Sequence, residues 1–213
     1  MPVISFVNQK GGCGKSSLSC HLAWWLMNQG KTVAVVDSDG QQSSSRWLLK
    51  MEPPIQTYVI SEGTELLEQI PKIAASFDYV IVDGGGMLSD ITLNILLRSD
   101  LAIVPAQPTG LDLSSTTDAL KLAQQVQTVR ESGKPKVKLV LNRAVKRTRL
   151  LTESLALLKN KGLLKTIVYQ RQAIADCYGQ RQVVWTLPGG KDVEDARSEF
   201  DSLCKEILES LNA

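Results

Sequence analysis

Apolar positions along this chain follow two alternating patterns. Short, mostly apolar runs, often of β-branched residues, occur at 3–7 (VISFV), 32–36 (TVAVV), 79–82 (YVIV), 101–104 (LAIV) and 137–141 (VKLVL), bounded by Gly, Asp, Asn or Pro. A run without polar alternation predicts a strand buried on both faces, as in a parallel sheet. Between these runs, 16–29, 64–76, 91–98, 115–132 and 152–161 read as amphipathic helices; Leu18, Leu22 and Leu26 recur every fourth residue in the first, and Leu155, Leu157 and Leu158 mark the last. A final helix over 192–211 carries Phe200, Leu203, Ile207, Leu208 and Leu211 in one stripe. From 163 to 190 the pattern blurs: LLKTIVYQRQ suggests one more strand, while GQRQVVWTLPGG mixes apolar and turn residues. Alternating strand and helix predicts an α/β fold, a three-layer, doubly wound, mostly parallel sheet. The 213 residues fit a single domain over 1–213 with a core that needs no staples.

The first strand feeds KGGCGKSS, residues 10 to 17, and then a helix. In that context Gly11, Gly12 and Gly14 let backbone N–H groups face a concavity, and the helix beginning near Lys15 adds the positive end of its dipole. Residues Gly11, Gly12, Cys13, Gly14, Lys15, Ser16 and Ser17 are therefore expected to cradle ATP. Lys15 should reach the β and γ phosphates and the Ser16 hydroxyl should ligate Mg2+. A glycine-rich turn that holds GK followed by Ser by chance is the bland alternative, and the coincidence of strand, turn and helix argues against it. Asp37 and Asp39 leave the end of a buried strand, where a carboxylate can hold a metal-bound water, orient the attacking one, or merely cap the next segment.

An ordinary phosphate loop would have glycine at position 9, where this chain has Gln9, and would not require Lys10. NQKGGCGKSS, from Asn8 to Ser17, resembles the deviant Walker box of the ParA/MinD family of ATPases. The resemblance implies that Lys10 reaches across an ATP homodimer to the partner's nucleotide, and that dimerisation is coupled to hydrolysis. VVDSDGQQSSS (35–45) is similar to the family's second box, with Gly40 in the usual place of proline. By resemblance Asp39 orients the attacking water, while Asp37 joins the metal and signature-lysine network. YVIVDGGG (79–86) resembles Walker B, so that Asp83 would hold Mg2+ through water and the following glycines would permit movement when the γ-phosphate leaves. VPAQPTGLDLSS (104–115) and VLNRAVKRT (140–148) also look like family segments, which implies that Asn142, with Arg143 beside it, contacts adenine. The resemblance runs over nearly the whole chain and is strongest to the small plasmid-partition and carboxysome-positioning members.

Charge separates the family's branches. Net charge is only +2, yet residues 121 to 181 hold 14 Lys and Arg against 3 Asp and Glu, while residues 1 to 120 hold 7 against 12. Arg143, Lys146, Arg147, Arg149 and Arg171 are the candidate contacts to DNA phosphates, with Lys159, Lys161 and Lys165 nearby in sequence. A charge run alone is usually a solvated face; with the resemblance it points to non-specific DNA binding. No membrane partner is expected, because the last helix sets Asp201, Glu206 and Glu209 against Lys205 and suits an anionic bilayer poorly. There is no run of eighteen apolar residues, and the chain begins on a strand rather than a signal segment, so a cytoplasmic, nucleoid-associated protein is expected. Cysteines 13, 20, 177 and 204 lack metal-ligand spacing, and His21 reads as a packed core residue, as do Trp24 and Trp25. The function expected is an ATP-dependent dimerising switch that binds DNA and positions a plasmid or carboxysome through a small adaptor protein. Alternatives are a dethiobiotin synthetase-like enzyme with a small-molecule pocket near 107–112, or a MinD-like membrane-associated ATPase.

Overall fold

A computed structural model describes residues 1–86 and 90–212. Seven strands, β1 (Val3–Phe6), β2 (Val33–Asp37), β3 (Gln56–Val59), β4 (Tyr79–Asp83), β5 (Leu101–Ala106), β6 (Lys136–Ala144) and β7 (Leu163–Tyr169), form one sheet in the order β3-β2-β4-β1-β5-β6-β7. Every pairing is parallel, as the mostly apolar runs of the inner strands predict. Successive strand residues feed opposite cores. Ile4, Phe6, Val33 and Val35 pack under helices α1 (Lys15–Asn28), α2 (Ser43–Leu48), α7 (Gln172–Gln180) and α8 (Lys191–Asn212). Val3, Val7, Ala34 and Val36 pack under α3 (Gly63–Ala74), α4 (Asp90–Arg98), α5 (Gly110–Val129) and α6 (Arg149–Leu158). The three layers and the double winding follow from that alternation.

Three elements are absent from the sequence reading, each for a physical reason. β3 is a short edge strand whose four residues are exposed or half-buried, so it shows no apolar run. α2 is a six-residue, serine-rich piece held by the burial of Trp47 and Leu48 rather than by helix propensity. α7 is nine residues and buries only Ala173 and Cys177. α6 begins three residues earlier than its leucine pattern suggests, because the Thr148 hydroxyl caps it by accepting the Leu151 N–H at 3.3 Å. α5 likewise starts at Gly110 rather than at 115, and the side chains of residues 110–113 lie outside the described ones. No helix among the described residues is long and apolar enough to cross a membrane.

The chain winds outward from β1 to β2 and β3, returns to β4, then crosses to β5, β6 and β7. Ligands bind such sheets at the carboxyl ends of strands where the winding reverses. Here that place is the end of β1, flanked by β4 and β5.

Candidate functional site

The glycine-rich loop leaves β1 at this point and is braced from below. Asn8, 1% exposed, donates its amide to the Pro105 carbonyl at 2.6 Å and accepts the Lys10 N–H at 3.1 Å. Gln107 and Arg143 both donate to the Gly12 carbonyl, at 2.9 and 3.1 Å. Gly14 has a φ of 98°, a region L side chains avoid, and a Cβ there would run into the Asn142 amide, which itself donates to the Cys13 carbonyl at 2.8 Å. The loop is thus tied to β5 and β6 as well as to β1. Lys15 opens α1 and is 5% exposed, with its Nζ donating to the Lys10 carbonyl at 3.1 Å. Cys13 is fully buried and its thiol faces the same carbonyl at 3.3 Å.

Carboxylates gather at the neighbouring strand ends. Register pairs Asp37 with Asp83 across β2 and β4, and Phe6 with Asp83 across β1 and β4. The Ser38 N–H and hydroxyl both donate to the Asp83 carbonyl, at 3.0 and 2.9 Å, which locks the second box to the β4 end. Asp37 is fully buried, and its oxygens accept the Asp39 and Ser45 N–H groups at 3.1 and 2.8 Å. It therefore holds the start of α2 in place, and still has lone pairs to offer. Asp39 is half-buried and accepts only the Gln41 N–H, at 2.9 Å, among its described contacts. The following turn is tight: a Cβ on Gly84 would stand 2.8 Å from the Phe6 carbonyl oxygen.

Asp83 is the unusual group. It is fully buried and neither carboxylate oxygen reaches hydrogen-bond geometry with a donor. Burial pushes its carboxyl up to about 7; Asp37 adds to the shift, while the Ser16 and Ser44 hydroxyls and Lys15 hold it back. A desolvated carboxylate beside a hydroxyl is a donor set that fits a hard divalent cation holding most of its water. Between the ordinary carboxylate range and about 7, the folded protein keeps a proton that the unfolded chain has released. Stability is thus lost as pH rises through about 7. Asp83→Asn, which cannot charge, is expected to raise the Tm of metal- and nucleotide-free protein at pH 8. The gain should be on the order of a few kcal/mol, hence several degrees, and should shrink at pH 5. Scanning calorimetry that finds the same difference at both pH values would refute this account of Asp83.

Beside the loop lies a pocket of about 470 Å³, lined on one side by Gly12, Gly14, Ser17, Asn142 and Arg143 and on the other by Tyr169 to Gln172, Ile174 and Ala175. Sequence reasoning placed Asn142 and Arg143 here but missed the second wall, which comes from the β7–α7 connection. The one available signal was the strand-like LLKTIVYQRQ, whose end had to meet the end of β6 if the sheet continued. Beneath the loop, His21 is a core residue. The Val184 N–H donates to its Nε2 at 3.2 Å, so the other ring nitrogen carries the proton and donates to the Ser17 carbonyl at 2.6 Å. The ring stacks on Phe200 at 4.1 Å, and burial lowers its pKa to about 4.

The expected DNA-contacting residues part company. Arg143, Lys146, Arg147 and Arg149 are all exposed at the β6–α6 junction, with Arg143 and Arg147 in the left-handed region at φ 54° and 60°. Lys146 sits 4.7 Å above the Tyr169 ring, and Arg149 pairs with Glu153 at 2.6 Å. Lys159 and Lys161 follow the far end of α6, away from this cluster. Arg171 does not join the basic face, because its side chain is 9% exposed and its guanidinium is spent on Asp192, Asp195 and Glu199. Its charge is thus already paired within the fold, which sets Arg171 apart from the exposed cluster.

Comparison with known proteins agrees with this geometry. Residues 4–184 match the CobQ/CobB/MinD/ParA nucleotide binding domain. The chain is 25% identical over 213 residues to the Maintenance of carboxysome distribution protein A of Halothiobacillus neapolitanus, covering 97% of this chain and 96% of that one. It is 30% identical over 124 residues to Protein ParA of Rhizobium radiobacter, covering 57% of this chain and 56% of that one. Its fold is similar to that of a single-residue variant of Cyanothece McdA in complex with ATP, at a TM-score of 0.79 and 14% identity, over 98% of this chain and 96% of that one.

Proposed function

Because this chain belongs to the CobQ/CobB/MinD/ParA family of nucleotide-binding domains, within which it is a ParA/MinD-type ATPase, we propose that it is an ATP-gated switch that grips DNA non-specifically and positions a cargo. The observation that carries this reading is a shared strand end. Asn142, at the pocket, and Arg143, which lines the same pocket, open directly into the exposed basic loop of Lys146, Arg147 and Arg149. Nucleotide at the pocket and phosphate on the basic loop therefore act on one short segment, and a change at one is felt at the other.

Within this reading Gly11, Gly12, Cys13, Gly14, Lys15, Ser16 and Ser17 hold the triphosphate. Mg2+ is held by the Ser16 hydroxyl and, through water, by Asp83 and Asp37. Lys10 acts across an ATP homodimer, and Asp39 orients the attacking water. Hydrolysis then releases the dimer from DNA. A small adaptor protein couples the cycle to a plasmid or a carboxysome; the likeness to a carboxysome distribution protein supports the second of these cargoes. The same reading places the protein on the nucleoid, as one domain.

Arg147→Glu together with Arg149→Glu is expected to weaken DNA binding while leaving ATP affinity in the absence of DNA unchanged. Each lost phosphate contact should lower the salt slope by about one unit, hence about two for the pair. DNA titrations over a range of salt check this, and an unchanged slope means that the DNA face lies elsewhere. ATP hydrolysis that ignores DNA but depends on a small-molecule acceptor would instead favour the synthetase-like alternative.

A further inference from the structure

β7 is an outermost strand, and its free side is met not by another strand but by the carboxylates of α8. Glu206 accepts the Lys165 and Thr166 N–H groups at 2.6 and 2.9 Å, and Glu199 accepts the Tyr169 N–H at 3.1 Å. Beyond the strand, Asp192 accepts the Ala173 N–H at 3.1 Å, capping the first turn of α7 from another helix. These contacts satisfy edge groups that would otherwise invite a foreign strand.

At its upper end the arrangement does more. The Arg171 guanidinium sits between the two carboxylates that also hold backbone N–H groups, at 2.6 Å from Glu199 and 3.0 Å from Asp192, with Asp195 at 3.3 Å. Glu199 is the deepest of the three acids, 14% exposed, and it bridges Arg171 and Tyr169 with its two oxygens. Tyr169, Arg171 and the start of α7 form the second wall of the 470 Å³ pocket. That wall is a strand-to-helix connection at the edge of the sheet, so charge-assisted bonds from α8 supply the restraint that a neighbouring strand would give elsewhere.

We propose that Arg171, Asp192 and Glu199 are positioning residues, a clamp through which α8 sets the pocket wall for the base and ribose end of the nucleotide. The inference rests on reading that pocket as the site of the nucleoside, and it deepens that reading. A wall held in place before binding spares the nucleotide the entropy of ordering it, so the clamp acts on affinity for the nucleoside and not on the phosphate loop across the pocket. Glu206 is an internal control: it makes the same kind of bonds from the same helix, but to Lys165 and Thr166, neither of which lines the pocket.

Calorimetric titration of the full chain with MgATP and with magnesium tripolyphosphate separates the two ends of the ligand. Glu199→Gln and Arg171→Lys are each expected to weaken ATP about tenfold while leaving tripolyphosphate affinity unchanged. Glu206→Gln should lower the Tm yet bind both ligands as the wild type does. The clamp is overturned if Glu199→Gln and Arg171→Lys bind ATP normally, if they lose both ligands alike, or if Glu206→Gln weakens ATP as much as they do. A wild type that binds tripolyphosphate as tightly as ATP overturns the pocket reading, and the clamp with it, before any variant is measured.

Discussion

Lys15→Ala is expected to remove measurable ATP binding, a loss of about a hundredfold or more. Lys15 is the first residue of α1, and the left-handed Gly14 before it turns the chain from loop to helix. Lys15 is buried and its ammonium lies against the Lys10 carbonyl, inside the curve of the loop where the β and γ phosphates would sit. The only other lysine of the loop, Lys10, is read as acting across the dimer, so alanine removes the cation that faces the β and γ phosphates within the protomer. The fold should survive, since Lys15 contributes one described hydrogen bond to it. Calorimetry with a circular-dichroism control tests this, and near-normal affinity would sink the site assignment. Lys10→Ala should differ: the monomer still binds nucleotide, while sedimentation velocity no longer finds an ATP-dependent dimer. A normal ATP dimer would remove Lys10 from its proposed role in trans.

Asp39→Ala should separate assembly from turnover. Asp37 is buried and engaged by two N–H groups, so its removal threatens α2 and the box itself. Asp39 is half-buried and holds only the turn at Gln41, which leaves its carboxylate able to work at the mouth of the site. Losing a group that positions or activates water costs about a hundredfold or more in turnover, while ATP binding should persist or tighten as a negative charge leaves the phosphate region. The variant should then stay on DNA as an ATP dimer, visible as slow dissociation after ATP is diluted. Hydrolysis at the wild-type rate, or failure to dimerise with ATP, would transfer the water-orienting role to Asp37.

Five strands and six helices are legible in the residue pattern because each buries its own face, so its period is written locally. β3, α2 and α7 are not, because what holds them lies elsewhere. Trp47 of α2 donates its indole N–H to Gln182, and the first turn of α7 is capped by Asp192. Charge was the least reliable local signal. Arg171 belongs by sequence to the basic stretch that runs to residue 181, yet it turns away from solvent to meet three acids some twenty to thirty residues further on.

The chain by itself made the phosphate loop legible, since strand, glycines, Lys15 and Ser16 follow one another within about ten residues, whereas the bracing of that loop by Pro105, Gln107, Asn142 and Arg143 came from the fold. It also determined the α/β class and the two-faced burial, because parallel strands covered on both sides are built from mostly apolar runs that lack polar alternation. Tertiary structure alone decided that Asp83 stands desolvated beside Asp37, that the β7–α7 connection forms the second pocket wall, and that α8 spends its acids on the sheet edge. Each of these depends on residues separated by tens of positions being brought together. Sequence periodicity records which face of an element is buried, but not which distant side chain will meet it there.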